Sequence, residues 1–248
     1  MHTTYAITKK EFLGYVNSPI AYVFVIIFLG LCGVLFLSNF FLVREADMRA
    51  YFGILPFVYL FFIPAITMRL WAEERKLGTF ELLLTLPVRS HEAVLGKFIA
   101  SWALVILALV LSLPIPIWIS RYLVVEGGAG LDWGAVMGSY IGSALLAAAF
   151  LSLGIFFSAL TENQIVAFIL SVFFSALAIL IGEPVLIASM GWLPFIKKIE
   201  PILEYAGIRG HFDDIARGVI DSRDVIYYLT FCFFFLLITS IVVEHRRK

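Results

Sequence analysis

Residues 73–87 read Glu73-Glu74-Arg75-Lys76-Leu77-Gly78-Thr79-Phe80-Glu81-Leu82-Leu83-Leu84-Thr85-Leu86-Pro87. Four consecutive charged residues are too polar for lipid, so the chain leaves an apolar medium here. Gly78 can stop a helix and Thr79 can cap a new one. Phe80 to Leu86 then forms a helix of two turns, apolar almost all round and closed by Pro87. Only Glu81 and Thr85, one turn apart, make a polar stripe. The segment is too short to cross a bilayer, which takes about 20 residues. An exposed loop this rich in leucine needs a cover: the rest of the bundle, lipid, or another protein.

Working outward, long apolar runs stand on both sides. Six are candidates for spans, at 20–43, 51–68, 98–119, 135–160, 165–182 and 225–243. Pro56 and Pro64 interrupt the second, and Pro114 and Pro116 fall near the end of the third, so kinks are expected in both. The fold class read from this is all-α: a polytopic membrane protein of six transmembrane helices in one domain, 1–248. Composition agrees. Of 248 residues, 62% are hydrophobic and 15% charged, against about 25% charged in an ordinary soluble domain. Lys+Arg and Asp+Glu both total 18. There is no basic excess to neutralise a phosphate backbone, which argues against a nucleic-acid partner and for a lipid bilayer.

The basic residues set the orientation. With both termini inside, the inner side carries Lys9, Lys10, Arg69, Arg75, Lys76, Arg89, Lys97 and the basic residues at 246–248. The two short outer loops carry only Arg44, Arg49 and Arg121. The first 18 residues are not expected to be a signal peptide, because the apolar run that follows exceeds an h-region of about 7–15 residues.

Residues 1–18 read as a helix lying on the inner membrane surface. Tyr5, Phe12 and Val16 share a face, Lys9 snorkels beside them, Lys10 is polar, and Pro19 ends the segment. Residues 183–224 read as short helices that dip into or lie on the outer leaflet. There Ile208, Phe212, Ile215 and Val219 recur at helical spacing, and Asp213 and Arg217 are placed to pair at i, i+4. Ser90 is placed to cap the third span.

No charged residue lies within the apolar cores of the spans, which argues against an ion-driven carrier. There is no GxxxxGK[ST], GxSxG or HExxH. Gly134, Gly138 and Gly142 form a GxxxGxxxG face that lets helices pack closely; this accounts for the neighbouring serines better than hydrolase chemistry does. His211-Phe212-Asp213-Asp214 reads as a wet amphipathic turn rather than a metal site. Cys32 and Cys232 lie in apolar runs and read as small buried hydrophobes. No catalytic, metal or cofactor-binding residue is expected in this chain.

The chain resembles the ABC-2 type transporter permeases, the membrane subunits of ATP-driven exporters. The matching blocks are Thr8-Lys9-Lys10-Glu11-Phe12 leading to Ser18-Pro19-Ile20-Ala21-Tyr22, the stretch Glu73 to Leu83 with Leu86-Pro87-Val88 and Gly96-Lys97, and Ser158-Ala159-Leu160-Thr161-Glu162-Asn163-Gln164. The ending from His211 to Asp224 is similar to the branch of gliding-motility-associated permeases and of permeases for nitrous-oxide-reductase maturation. The resemblance implies a coupling helix at 73–87 that docks into a cytoplasmic ATPase. Phe80, Leu83 and Leu84 would supply the apolar docking face. Glu73, Glu74 and Glu81, with Arg75 beside them, would supply charge. Lys9, Lys10 and Phe12 would contact the ATPase from the N-terminal helix, and Thr161–Gln164 offers a second contact. It also implies an ATPase dimer carrying the ATP and Mg, a second permease chain, and the bacterial inner membrane. The function expected is export. The alternative is a module that passes ATP-driven motion to a periplasmic or membrane-anchored accessory protein. An intramembrane enzyme is the poorest fit, since no carboxylate pair, metal cluster or triad lies at membrane depth.

Overall fold

The computed structural model describes residues 2–43, 48–79, 88–125, 130–189, 194–219 and 221–246, all of it helix and short connections. In chain order the helices are α1 (His2–Val16), α2 (Pro19–Val43), α3 (Arg49–Thr67), α4 (Arg69–Lys76), α5 (Ser90–Ser112), α6 (Pro114–Val125), α7 (Trp133–Leu160), α8 (Gln164–Leu180), α9 (Pro184–Ser189), α10 (Pro194–Ala206), α11 (Ile208–Ala216) and α12 (Ser222–His245). Among the described residues, four stretches are long and apolar enough to cross a membrane: 51–76, 90–124, 133–160 and 222–245. A fifth appears if α1 and the start of α2, bent by 70°, are taken together; α8 is apolar but shorter.

Helix α7 forms the centre. Of its apolar window 78% is buried inside the protein, against 17% for α12. Small residues explain this: Gly138, Gly142, Ala147, Gly154 and Ser158 let neighbouring backbones approach. Two of its buried hydroxyls return to their own helix, Ser139 to the Ala135 carbonyl at 2.8 Å and Ser143 to that of Ser139 at 2.7 Å. Neither of these two hydroxyls is thereby left unsatisfied in an apolar setting. Helices α3, α4, α5, α8, α11 and α12 pack around it. Outward-facing Phe61, Ile169, Phe173 and Phe233 remain exposed, as expected for surfaces turned to lipid. Cys32 and Cys232 are buried free thiols.

Several local readings change. The third apolar run does not begin the helix; α5 starts eight residues earlier, because Glu92 and Lys97 are polar without breaking it. Ser90 does not cap it. Arg89 is the N-cap, its N–H donating to the Glu92 carboxylate at 3.3 Å, while the Ser90 hydroxyl bonds to Glu244. Pro56 and Pro64 are accommodated inside α3, and the break comes at Met68. Pro114 instead opens α6, one residue past the break at Leu113.

In the segment 183–224, helix α11 packs into the bundle, with Ile208, Phe212 and Ile215 fully buried; Val219 falls past its end and is exposed. It docks on the glycine face of α7. A Cβ on Gly138 would meet the Ile215 carbonyl oxygen at 2.8 Å, and one on Gly142 would meet Ile215 Cγ2 at 3.1 Å. A Cβ on Gly134 would meet, among the described residues, only Asp132 at 3.2 Å, the N-cap that also holds its N–H. Asp213 does not pair with Arg217. Arg217 lies 3.5 Å from Asp214, and Asp213 lies 3.8 Å from Arg209, which also reaches Glu183 at 3.1 Å. Nor is His211 wet. It is buried, with Nδ1 2.6 Å from Asp224, Nε2 2.9 Å from the Tyr205 carbonyl, and its ring stacked on Tyr227 at 4.0 Å.

Candidate functional site

At one end of the bundle, α1, α4 and the first turns of α5 meet around a buried lysine. Lys97 is 2% exposed. An ammonium has three donors and no acceptor, and three acceptors surround this one: Glu74 Oε1 at 2.7 Å, the Leu70 carbonyl at 2.9 Å and Glu11 Oε1 at 3.2 Å. The Trp71 ring lies 4.9 Å from Nζ, within cation–π range. A buried charge is tolerated only when paired in this way. From the sequence, Lys97 was counted only among the inner-side cations; it lies inside the protein because α5 begins before it and carries it between α1 and α4.

Helix α1 is seated on α5 by a row of contacts. Gly96 makes room for it, since a Cβ there would meet Ile7 Cγ2 at 2.7 Å. Thr8 donates to the Gly96 carbonyl at 3.3 Å, Thr3 to Glu92 at 3.2 Å, and the Tyr15 and Ser101 hydroxyls lie 3.1 Å apart. The face of α1 turned to the protein is thus Thr3, Ile7, Thr8, Glu11 and Tyr15. Tyr5 stays exposed.

The same end gathers the rest of the chain. Arg75 pairs with Glu162 at 2.8 Å and donates to the Ala159 carbonyl at 3.2 Å. The Ser158 hydroxyl accepts from the Trp71 and Ala72 N–H groups at 3.1 and 3.3 Å and donates to the Met68 carbonyl at 3.0 Å. It thereby satisfies the opening of α4 without any capping side chain of its own. Arg246 donates to the Leu160 carbonyl at 3.1 Å, and Glu244 meets Ser90. A cavity of about 500 Å³ lies here between Arg89–His91 and Ser240–His245.

The residues singled out from the sequence fall as follows. Glu73 is half-buried, Glu74 turns inward to Lys97, and Arg75 turns to the α7–α8 connection; Lys9 and Lys10 are exposed and Phe12 is half-buried. Glu74 is thus paired within the chain, its Oε1 2.7 Å from Lys97. Gly78 has φ +71 and follows the end of α4. The Thr79 hydroxyl reaches back to the Glu74 carbonyl at 3.2 Å. Phe80, Glu81, Leu83 and Leu84 lie outside the described residues. Lys97, Glu11, Ser158 and Glu244 were given no role from the sequence, and Glu162 entered only as part of the Thr161–Gln164 connection. A signal for Lys97 was present: Ser90, Lys97 and Ser101 are spaced by seven and four, which puts three polar groups on one helix face.

A bundle of helices long and apolar enough to cross a membrane, with a polar, ion-paired end, is the architecture of an integral membrane protein. The chain belongs to the family described as ABC-2 family transporter protein, whose profile matches residues 5–245. No curated protein matches it in a sequence search.

Proposed function

We propose that this chain is the permease subunit of an ATP-binding-cassette transporter of the ABC-2 type. It crosses the bacterial inner membrane six times with both termini in the cytoplasm. A separate ATPase dimer, which holds the ATP and Mg, docks against 73–87, α1 and Thr161–Gln164. This chain carries no catalytic group. Two permease chains stand side by side and export a substrate between them. The ending at 211–224 favours the gliding-motility and nitrous-oxide-reductase-maturation branch.

The observation that carries this reading is the convergence at one end of α1, α4, the start of α5 and the α7–α8 connection, joined through Lys97 and Arg75. A push on residues 77–88 reaches α4 on one side and α5 on the other. ATP binding draws the two ATPases together, the docked segments follow, and the helices rock. Phe80, Leu83 and Leu84 supply the apolar face that a docked ATPase would cover.

The test is purification of the tagged chain from native membranes, with hydrolysis assayed in the eluate. An ATPase should accompany the wild type and be lost from Leu83→Asp, which still inserts. A chain that purifies alone, or an ATPase that stays with Leu83→Asp, would sink the reading.

A further inference from the structure

We propose that Lys97 is the positioning residue that carries motion from the ATPase-facing segment to the N-terminal helix. This rests on the permease reading above and assigns a role within it.

Three elements far apart in sequence meet at one ammonium: Glu11 on α1, Leu70 and Glu74 on α4, and Lys97 itself on α5. The group is almost fully buried. A buried ammonium cannot give up a carboxylate without replacing it, because water is not there to take over. When α4 moves, Lys97 must either follow it or change partners, and α1 is tied to the outcome through Glu11. The charges do not balance. Two carboxylates share one cation, and Glu74 Oε2 is buried without a hydrogen-bond donor among the described residues. The ammonium thus has two competing anionic partners, Glu74 held closer and Glu11 farther. That is a two-state element which displacement of either helix biases. The other hydrogen bonds between α1 and α5, made by Thr3, Thr8 and Tyr15, bring in no charged group of α4.

The experiment uses the intact complex of this chain with its ATPase. Spin labels are placed on cysteines at the exposed positions Tyr5 on α1 and Ile165 on α8; Cys32 and Cys232 are buried. Distances are read with and without a non-hydrolysable ATP analogue. In the wild type the analogue should shift the α1 distance. In Lys97→Met the shift should be lost while the ATPase stays bound and hydrolyses ATP, and Lys97→Arg should restore it. Glu11→Gln keeps the lysine and its α4 contacts, so it tests the same link even if Lys97→Met does not fold; the shift should be lost there too. An α1 shift of wild-type size in Lys97→Met or Glu11→Gln overturns the proposal, as does no shift in the wild type. Failure of any ATPase to accompany the wild type is a different result: it removes the permease reading, and this proposal with it.

Discussion

At the scale of single residues, burial decides which charges matter. Lys97 and Asp213 are both ionisable groups in partly apolar surroundings, and they are treated differently. Lys97 has a full set of acceptors. Asp213 has Arg209 at 3.8 Å and little else, and burial raises its carboxyl above the ordinary carboxylate range, against the pull of Arg209 and Arg217. The sign follows. The folded chain holds this proton more tightly than the unfolded one, so stability falls as pH rises from the ordinary carboxylate range through the raised value. Asp213→Asn should flatten that part of the stability–pH curve in detergent melts. Identical slopes for both proteins would show that Asp213 is solvated after all.

At the scale of helices, glycine separates close packing from mere presence. Gly138 faces the backbone of α11, while Gly53, in α3, has open space where a Cβ would go. Gly138→Ala should therefore destabilise the protein by about 1–3 kcal/mol, the usual cost of overpacking. Gly53→Ala should stabilise it by about 0.4–1 kcal/mol by restricting the unfolded chain. Melting both variants beside the wild type checks the pair, and a reversal of the order would mean that α11 does not sit on α7. How much was legible differs by element. The helical class and the apolar runs came directly from hydropathy and composition, because lipid leaves a strong mark on sequence. The burial of α11 did not: Ile208, Phe212 and Ile215 recur identically whether that face meets lipid or protein. The start of α5 was legible to within a residue from the expected cap at Ser90, although polar residues at 92 and 97 end a hydropathy window without ending the helix. The lysine site was hidden for another reason. Its members sit at 11, 74 and 97, and only the folded arrangement of three helices brings them together.

At the scale of the whole molecule, both chain ends lie at the same end of the bundle. Helix α1 rests on the beginning of α5, and Glu244 and Arg246 reach Ser90 and the Leu160 carbonyl. In the proposed topology this end is cytoplasmic. Green fluorescent protein fused to either terminus should then fluoresce, and alkaline phosphatase inserted at 126–129 should be active outside. Active phosphatase at a terminus would invert the assignment. The wiring also has an order in time. Within this sequence α1 precedes α5 and can settle as soon as α5 appears, whereas Ser90 and the Leu160 carbonyl wait for residues 244–246. A nascent chain stalled before those residues leaves two earlier helix ends unfastened.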